Sequence, residues 1–214
     1  MNEEPALVLR ELTPELWPEL VALFGSNGAC GGCWCMYWRI GPKERFEDVK
    51  GERARARLEA LVRAGQVHGV LAFADEVPVG WCAFERRVEL AKLDRAPSLR
   101  VDDAERVWSL PCFFIKSGWR GKGVASALLA AAERALRARG CEIAEGYPVK
   151  LAGRIPAAFA WTGVASMFEA AGFELAEARP KGKQRYRKTL AGGAPAKPAG
   201  APKQRSKPAP KRAR

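Results

Sequence analysis

The chain has 214 residues, a formal net charge of +12, six cysteines and one histidine. That length allows one domain with a sizeable core, and no apolar run approaches the roughly 20 residues a membrane-spanning helix needs. Glu3 and Glu4 stand where a secretory leader would be basic and then apolar, so a cytoplasmic protein with reduced thiols is expected rather than a disulfide framework.

Residues 6–11 read as a strand. From Pro14 to Phe24, Leu16, Trp17, Leu20, Leu23 and Phe24 share one face, which predicts a helix. Thr13 is its candidate N-cap and Pro14 its first residue, while Pro18 either kinks the helix or delays its start. Ser26 to Gly32 is rich in turn residues, and Lys43 to Ala64 reads as a charged helix or helix pair closed by Gly65. Residues 68–74 and Val79 to Glu85 form two strands of a hairpin around Asp75-Glu76-Val77-Pro78. Residues 87–104 are polar and read as loop with a short helix. Val107 to Ile115 is an apolar strand, and Gly121 to Arg139 a long helix stopped by Gly140. Residues 141–147 are a strand, Trp161 to Ala171 a helix closed by Gly172, and Phe173 to Ala178 and Arg185 to Leu190 the last two strands. A domain over 1–190 is therefore expected. Residues 191–214 are mostly Ala, Pro, Gly, Lys and Arg, carry seven of the twelve net charges, and cannot bury a core, which predicts a disordered basic tail.

The most informative stretch is the passage from strand to long helix, CFFIKSGWRGKGVAS at 112–126. Gly121 and Gly123 can take turn dihedrals that a Cβ forbids. Val124, Ala125 and Ser126 leave the first-turn amides of the helix open, where the dipole favours an anion such as a diphosphate. A nucleoside-triphosphate loop would need Lys and then Ser or Thr after its last glycine, and Lys122 stands before Gly123 instead. A dinucleotide loop would need a tight strand-to-glycine turn. Gly121, Gly123 and Ser126 nearly fit it, with Glu145 on the following strand, but the approach through Lys116 to Arg120 is long.

Arg120-Gly121-Lys122-Gly123-Val124-Ala125 resembles the Arg/Gln-x-x-Gly-x-Gly/Ala signature of the GCN5-related N-acetyltransferases (GNAT). The β-α-α-β-β-β-α-β-α-β-β order of residues 6–190 is similar to that family's as well, as is the segment MFEAAGFELAE with its Gly172-Phe173 turn. The resemblance implies an α/β acyl-CoA N-acyltransferase fold with a mixed central sheet flanked by helices. It implies acetyl-CoA as co-substrate, held by Phe113, Phe114 and Ile115 at the strand end, by Arg120, Gly121, Lys122 and Gly123 in the loop, and by Val124, Ala125 and Ser126 at the helix start. The implied partner is a small-molecule or peptide amine, and homodimers are common in the family.

A lysine-like amine has a pKa of about 10.4, so its attack on a thioester near neutral pH requires loss of a proton. Members of the family commonly use a Glu on the strand before the loop as base and a Tyr on the last helix as acid. This chain departs from both: Glu105 lies at the very start of the strand, and Phe168 occupies the Tyr position. The remaining candidates are Glu145 and Tyr147, two apart and so on one face of a strand, with Glu85 and Tyr37 behind them. His68, beginning a strand, is given no role.

Residues 30–39, CGGCWCMYWR, form a second unusual segment. Cys30, Cys33 and Cys35 would need a fourth ligand to hold zinc, and His68, Cys82, Cys112 and Cys141 include no second paired motif. No metal is expected, and free thiols can simply pack as small hydrophobes. In the family it resembles, this link forms a wall of the acceptor pocket. Trp34, Tyr37, Trp38 and Arg39 are accordingly expected to line it, with Arg39 favouring a carboxylate or phosphate; packing of the aromatics in the core is the competing reading. The alternative function class is a binding module, in which the tail with Lys181, Lys183, Arg185, Arg187 and Lys188 makes non-specific, salt-sensitive contact with nucleic acid.

Overall fold

The computed structural model describes residues 6–150, 157–179 and 182–190. The expected tail at 191–214 and Lys181 lie outside the described residues. The strands are β1 (Leu7–Glu11), β2 (His68–Ala74), β3 (Val77–Arg86), β4 (Val107–Ile115), β5 (Ile143–Gly146), β6 (Val149–Lys150), β7 (Glu174–Glu177), β8 (Gly182–Lys183) and β9 (Arg185–Thr189). The α-helices are α1 (Trp17–Phe24), α2 (Phe46–Val49), α3 (Glu52–Arg63), α4 (Ala91–Arg95), α5 (Val124–Ala138) and α6 (Ala165–Ala170). No described helix is long and apolar enough to cross a membrane.

Seven strands make one mixed sheet in the order β1-β2-β3-β4-β5-β9-β7, and β6 pairs with β8 apart from it. Neighbours are antiparallel except β4 and β5, which are parallel. Side chains alternate between the faces along each strand. Val70, Ala72, Cys82, Phe84, Leu110 and Phe113 meet Leu128, Leu129, Ala132 and Leu136 of α5 on one side. Leu71, Phe73, Trp81, Ala83 and Cys112 meet Trp17, Leu20, Phe24, Leu58 and Val62 of α1 and α3 on the other. Each fully buried Leu or Phe contributes about 1.5–3 kcal/mol, so both faces of the central strands are committed to packing. At Gly80 a Cβ would stand 2.8 Å from Val124 Cγ1, so glycine there lets the first turn of α5 sit directly on β3.

The β4–β5 ladder joins only Val107–Leu110 to Ile143–Gly146 and then stops. Pro111 follows, with no N–H to offer a neighbour. On the other edge the β3–β4 register shifts between Ala83 and Glu85. The second half of β4 therefore leaves its β5-facing edge without a strand partner, and the 3-10 segment Ala157–Thr162 packs near it.

Several boundaries differ from those read in the sequence. The first helix opens with a 3-10 turn at Pro14–Leu16, and Pro18 falls in the first turn of α1, where its ring delays the α-helix rather than kinking it. Thr13 precedes that turn in an extended conformation and makes no side-chain capping bond. Lys43 to Ala64 resolves into α2 and α3, separated by Gly51 at φ 77°. The hairpin turn narrows to Asp75 and Glu76, both left-handed at φ 47° and 61°, and β3 resumes at Val77. Gly163 at φ 83° divides the expected 161–171 helix, leaving α6 at Ala165–Ala170.

Candidate active site

The long helix begins at Val124, not Gly121, because Gly121 and Gly123 hold φ of 74° and 77°. That left-handed backbone is the conformation glycine adopts without penalty. A Cβ at either position would meet no atom within 4 Å, so both glycines face open space. No side chain caps α5, which leaves its first-turn amides available to a ligand. Arg120 Nε donates to the Ile115 carbonyl (3.1 Å) and fastens the loop back onto β4.

A cleft of about 1080 Å³ lies along this loop. Phe113, Phe114 and Ile115 of β4 form its floor, and Arg120, Gly121, Gly123, Val124, Ala125 and Ser126 one wall. Trp161, Gly163, Val164, Ser166, Met167 and Ala170 form the opposite wall, with Ala29 and Cys30 also lining it. Of the strand, loop and helix residues singled out from sequence, Lys122 alone is absent from the lining; its Nζ lies 5.3 Å from the Trp119 ring. Among the described lining residues there is no carboxylate and no tyrosine.

Glu145 and Tyr147, expected as base and acid, are placed differently. Both are fully buried, and neither lines the cleft. Glu145 accepts from Tyr147 Oη (2.7 Å), from Arg87 Nη1 (3.0 Å) and from Arg187 Nε. Tyr147 Oη also meets Ser109 Oγ (2.6 Å) and Arg87 Nη1 (3.0 Å). Arg187 goes on to Asp103 (2.8 and 2.9 Å), and Arg87 to Asp94 (3.0 Å) and the Leu99 carbonyl. Burial, then the Glu145 charge, pushes the Tyr147 hydroxyl well above the usual tyrosine range. A proton carrier must reach the reacting atoms, and this pair is instead saturated inside an ionic network where β4 and β5 part. Arg87, fully buried at its centre, falls in a stretch that reads as polar loop.

The acceptor expectation divides. Trp34 is a core residue, 4% exposed, packed on Trp17 and Phe24 at centroid distances of 6.0 and 5.5 Å. Arg39 pairs with Glu85, which also meets His68 Nδ1 (3.0 Å), so Arg39 does not present an uncompensated charge. Burial works against the Glu85 carboxylate, but His68 and Arg39 outweigh it and hold its pKa below the ordinary value. Tyr37 and Trp38 instead join Trp161, which lines the cleft, at centroid distances of 5.4 and 5.7 Å. Trp38 Nε1 donates to the Pro111 carbonyl (3.1 Å), tying this cluster to the unpaired half of β4. In the sequence Trp161 reads only as a helix start.

Phe168 is fully buried against Phe113, Phe173 and Tyr186. Its ring occupies the space a Cβ on Gly146 would fill. Cys30 is exposed and lines the cleft, whereas Cys35 accepts from Trp81 Nε1 (3.3 Å) inside the fold. A hydrogen bond with Cys112 holds the Cys35 thiol below its usual pKa against its burial. Among the described residues no group of three His, Cys, Asp or Glu is arranged to hold a metal ion.

Residues 34–146, more than half of the chain, match the sequence model of the Acetyltransferase (GNAT) family. An acetyltransferase of the GNAT family from Streptococcus pneumoniae superposes with a TM-score of 0.52 at 16% identity, covering 87% of this chain and 100% of that one. Salmonella typhimurium yncA, solved with its cofactor acetyl-CoA, gives 0.52 at 14% identity over 89% and 98%. The paia N-acetyltransferase of Thermoplasma acidophilum, in complex with coenzyme A, gives 0.50 at 16% over 86% and 99%. At these identities the likeness is one of fold. No curated protein matches the chain.

Proposed function

The chain belongs to the Acetyltransferase (GNAT) family, and from that premise we propose that it transfers the acetyl group of acetyl-CoA to a primary amine. The observation that carries this reading is the left-handed Gly121–Gly123 loop running straight into an uncapped α5 beside a cleft large enough for an extended ligand. The diphosphate belongs at the loop and the first-turn amides, because an anion there meets oriented N–H groups and the positive end of the helix dipole. Arg120 adds one positive charge to that wall.

The thioester end then lies along the unpaired half of β4. A backbone amide on that edge, between Cys112 and Phe114, is the donor for the carbonyl oxygen as it gains negative charge. In the reaction the amine nitrogen bonds to the acetyl carbon and the carbon–sulfur bond breaks. The electron pair of that bond leaves on sulfur, and the proton lost by nitrogen matches the one the thiol gains. Because the described lining offers no carboxylate or tyrosine, water in the cleft is the carrier for that proton. Glu145 and Tyr147 act as positioning residues that hold β5 and β9 beside the parting of the strands.

The test is the melting temperature of the full chain with acetyl-CoA, with NADH as the matched control. A ligand at 100 times its Kd stabilises by about 2.7 kcal/mol, a rise of about 5–10 °C for a domain of this size. A rise with acetyl-CoA alone is the expected result. A rise with NADH alone would replace this reading with dinucleotide binding, and no rise with either would remove the proposed ligand.

A further inference from the structure

Behind Trp161, the member of the aromatic cluster that lines the cleft, two lysines from distant parts of the chain converge, neither of them itself a lining residue. Lys92 on α4 places its Nζ 3.4 Å from the centroid of the Tyr37 ring. Lys183 on β8 places its Nζ 4.9 Å from the Trp161 ring and 5.5 Å from Trp38. Tyr37, Trp38 and Trp161 are themselves one cluster, with Tyr37 and Trp38 5.1 Å apart. Both lysines are partly buried. Among the described residues, neither is in an ion pair with a carboxylate. Asp94, the acid on α4, is committed to Arg87 at 3.0 Å, and Glu85 to Arg39 and His68.

This differs from the way the chain treats other partly buried cations. Arg187 has Asp103 and Glu145, and Lys188 has Glu133 at 2.7 Å. Contact with aromatic faces offsets part of the cost of burying a cation, but it leaves two like charges near each other. Burial first, and then the Lys92 charge, lower the pKa of Lys183, as expected for an ammonium lacking an anion. A bare ammonium acceptor would bring a third positive charge to the same place. An amine that carries its own anion would offset one charge of the pair through a carboxylate, or nearly both through a phosphate.

We propose that Lys92 and Lys183 bind the carboxylate or phosphate of the acceptor, which makes the substrate a small anion-bearing amine rather than a polyamine or a neutral amine. This rests on the acetyl-transfer reading of the cleft. It moves the anion-binding role expected of Arg39 to two residues that no local sequence pattern links.

The experiment is calorimetric titration of the full chain saturated with CoA, so that the glycine loop is already filled. The probes are L-glutamate and O-phospho-L-serine, with L-serinamide and spermidine as controls. At least one acidic amine is expected to bind about tenfold or more tightly than both controls, with Lys92→Met and Lys183→Met each weakening it about tenfold. The Kd of CoA should not change. Preference for glutamate assigns a carboxylate, and preference for phosphoserine a phosphate. The corresponding Lys→Gln variants substitute where a methionine alters folding. Tighter binding of spermidine or serinamide, binding of neither acidic amine, or acidic-amine binding untouched by the lysine variants would overturn the inference. Should CoA itself not bind, the titrations are run without it. Lysine-dependent binding of an acidic amine would then sustain the anion site while the transfer reading fails, and its absence would end both.

Discussion

Gly123→Val is expected to weaken acetyl-CoA binding about tenfold to a hundredfold, because a non-glycine residue held in the left-handed region costs about 1–3 kcal/mol. Gly123 sits at φ 77° and ψ −3° immediately before α5. A Cβ there clashes with nothing within 4 Å, so the penalty is backbone strain and not overpacking. A valine either keeps the loop strained or turns it to negative φ. The second outcome re-aims the amides that lead into the helix, and the added side chain also takes up room beside the cleft. Gly118→Ala is the control, since Gly118 has ordinary φ and open space around it. Calorimetry with acetyl-CoA reads both variants. Equal affinity of Gly123→Val and the native chain would mean that the loop is not the phosphate cradle.

Glu145→Ala should lower stability by about 3–5 kcal/mol, the usual cost of removing one partner of a buried ion pair. For a domain of this size that is a fall in melting temperature of about 6–20 °C. The loss is large because Arg87, with no exposed surface, would lose its fully buried carboxylate and keep the half-exposed Asp94, the Tyr147 hydroxyl and the Leu99 carbonyl. Arg187 retains both of its bonds to Asp103 and is less affected. Tyr147→Phe removes one hydroxyl from the same network and should cost about 1–3 kcal/mol. If Glu145 and Tyr147 position the strands, folded Tyr147→Phe keeps kcat within a few fold. A folded variant without transfer activity would return the hydroxyl to the chemistry.

What the sequence made legible was local. The strand at Val107–Ile115 and the one at 68–74 follow from apolar runs bounded by turn residues, and the structure has them with those bounds. The glycine loop is a six-residue pattern whose meaning depends on backbone dihedrals that only glycine permits. Expectation and structure part where conformation or partner lies outside the local pattern. Gly121 to Gly123 read as the first turn of a helix because side-chain periodicity carries no record of φ. Trp34 and Trp38 are four residues apart in one aromatic segment, yet Trp34 enters the core with Trp17 and Phe24 while Trp38 turns to Trp161. Arg39 reads as an anion site because nothing near it in sequence reveals that Glu85, 46 positions away, meets it. Glu145 and Tyr147 do come together, as spacing predicts, although β5 ends at Gly146, but the counter-ion Arg87 comes from 58 positions earlier in a stretch without periodicity. Lys92 and Lys183 converge from distant parts of the sequence in the same way.

The most direct measurement of the central claim is product formation by the full chain given acetyl-CoA and an equimolar mixture of glutamate, phosphoserine, serinamide and spermidine. Mass spectrometry would follow the acetylated amine, and a thiol assay the free CoA. The account predicts an N-acetylated amine and free CoA appearing together in equal amounts, only with the protein present. Acetyl-CoA that binds while no amine becomes acetylated above the protein-free control would contradict it.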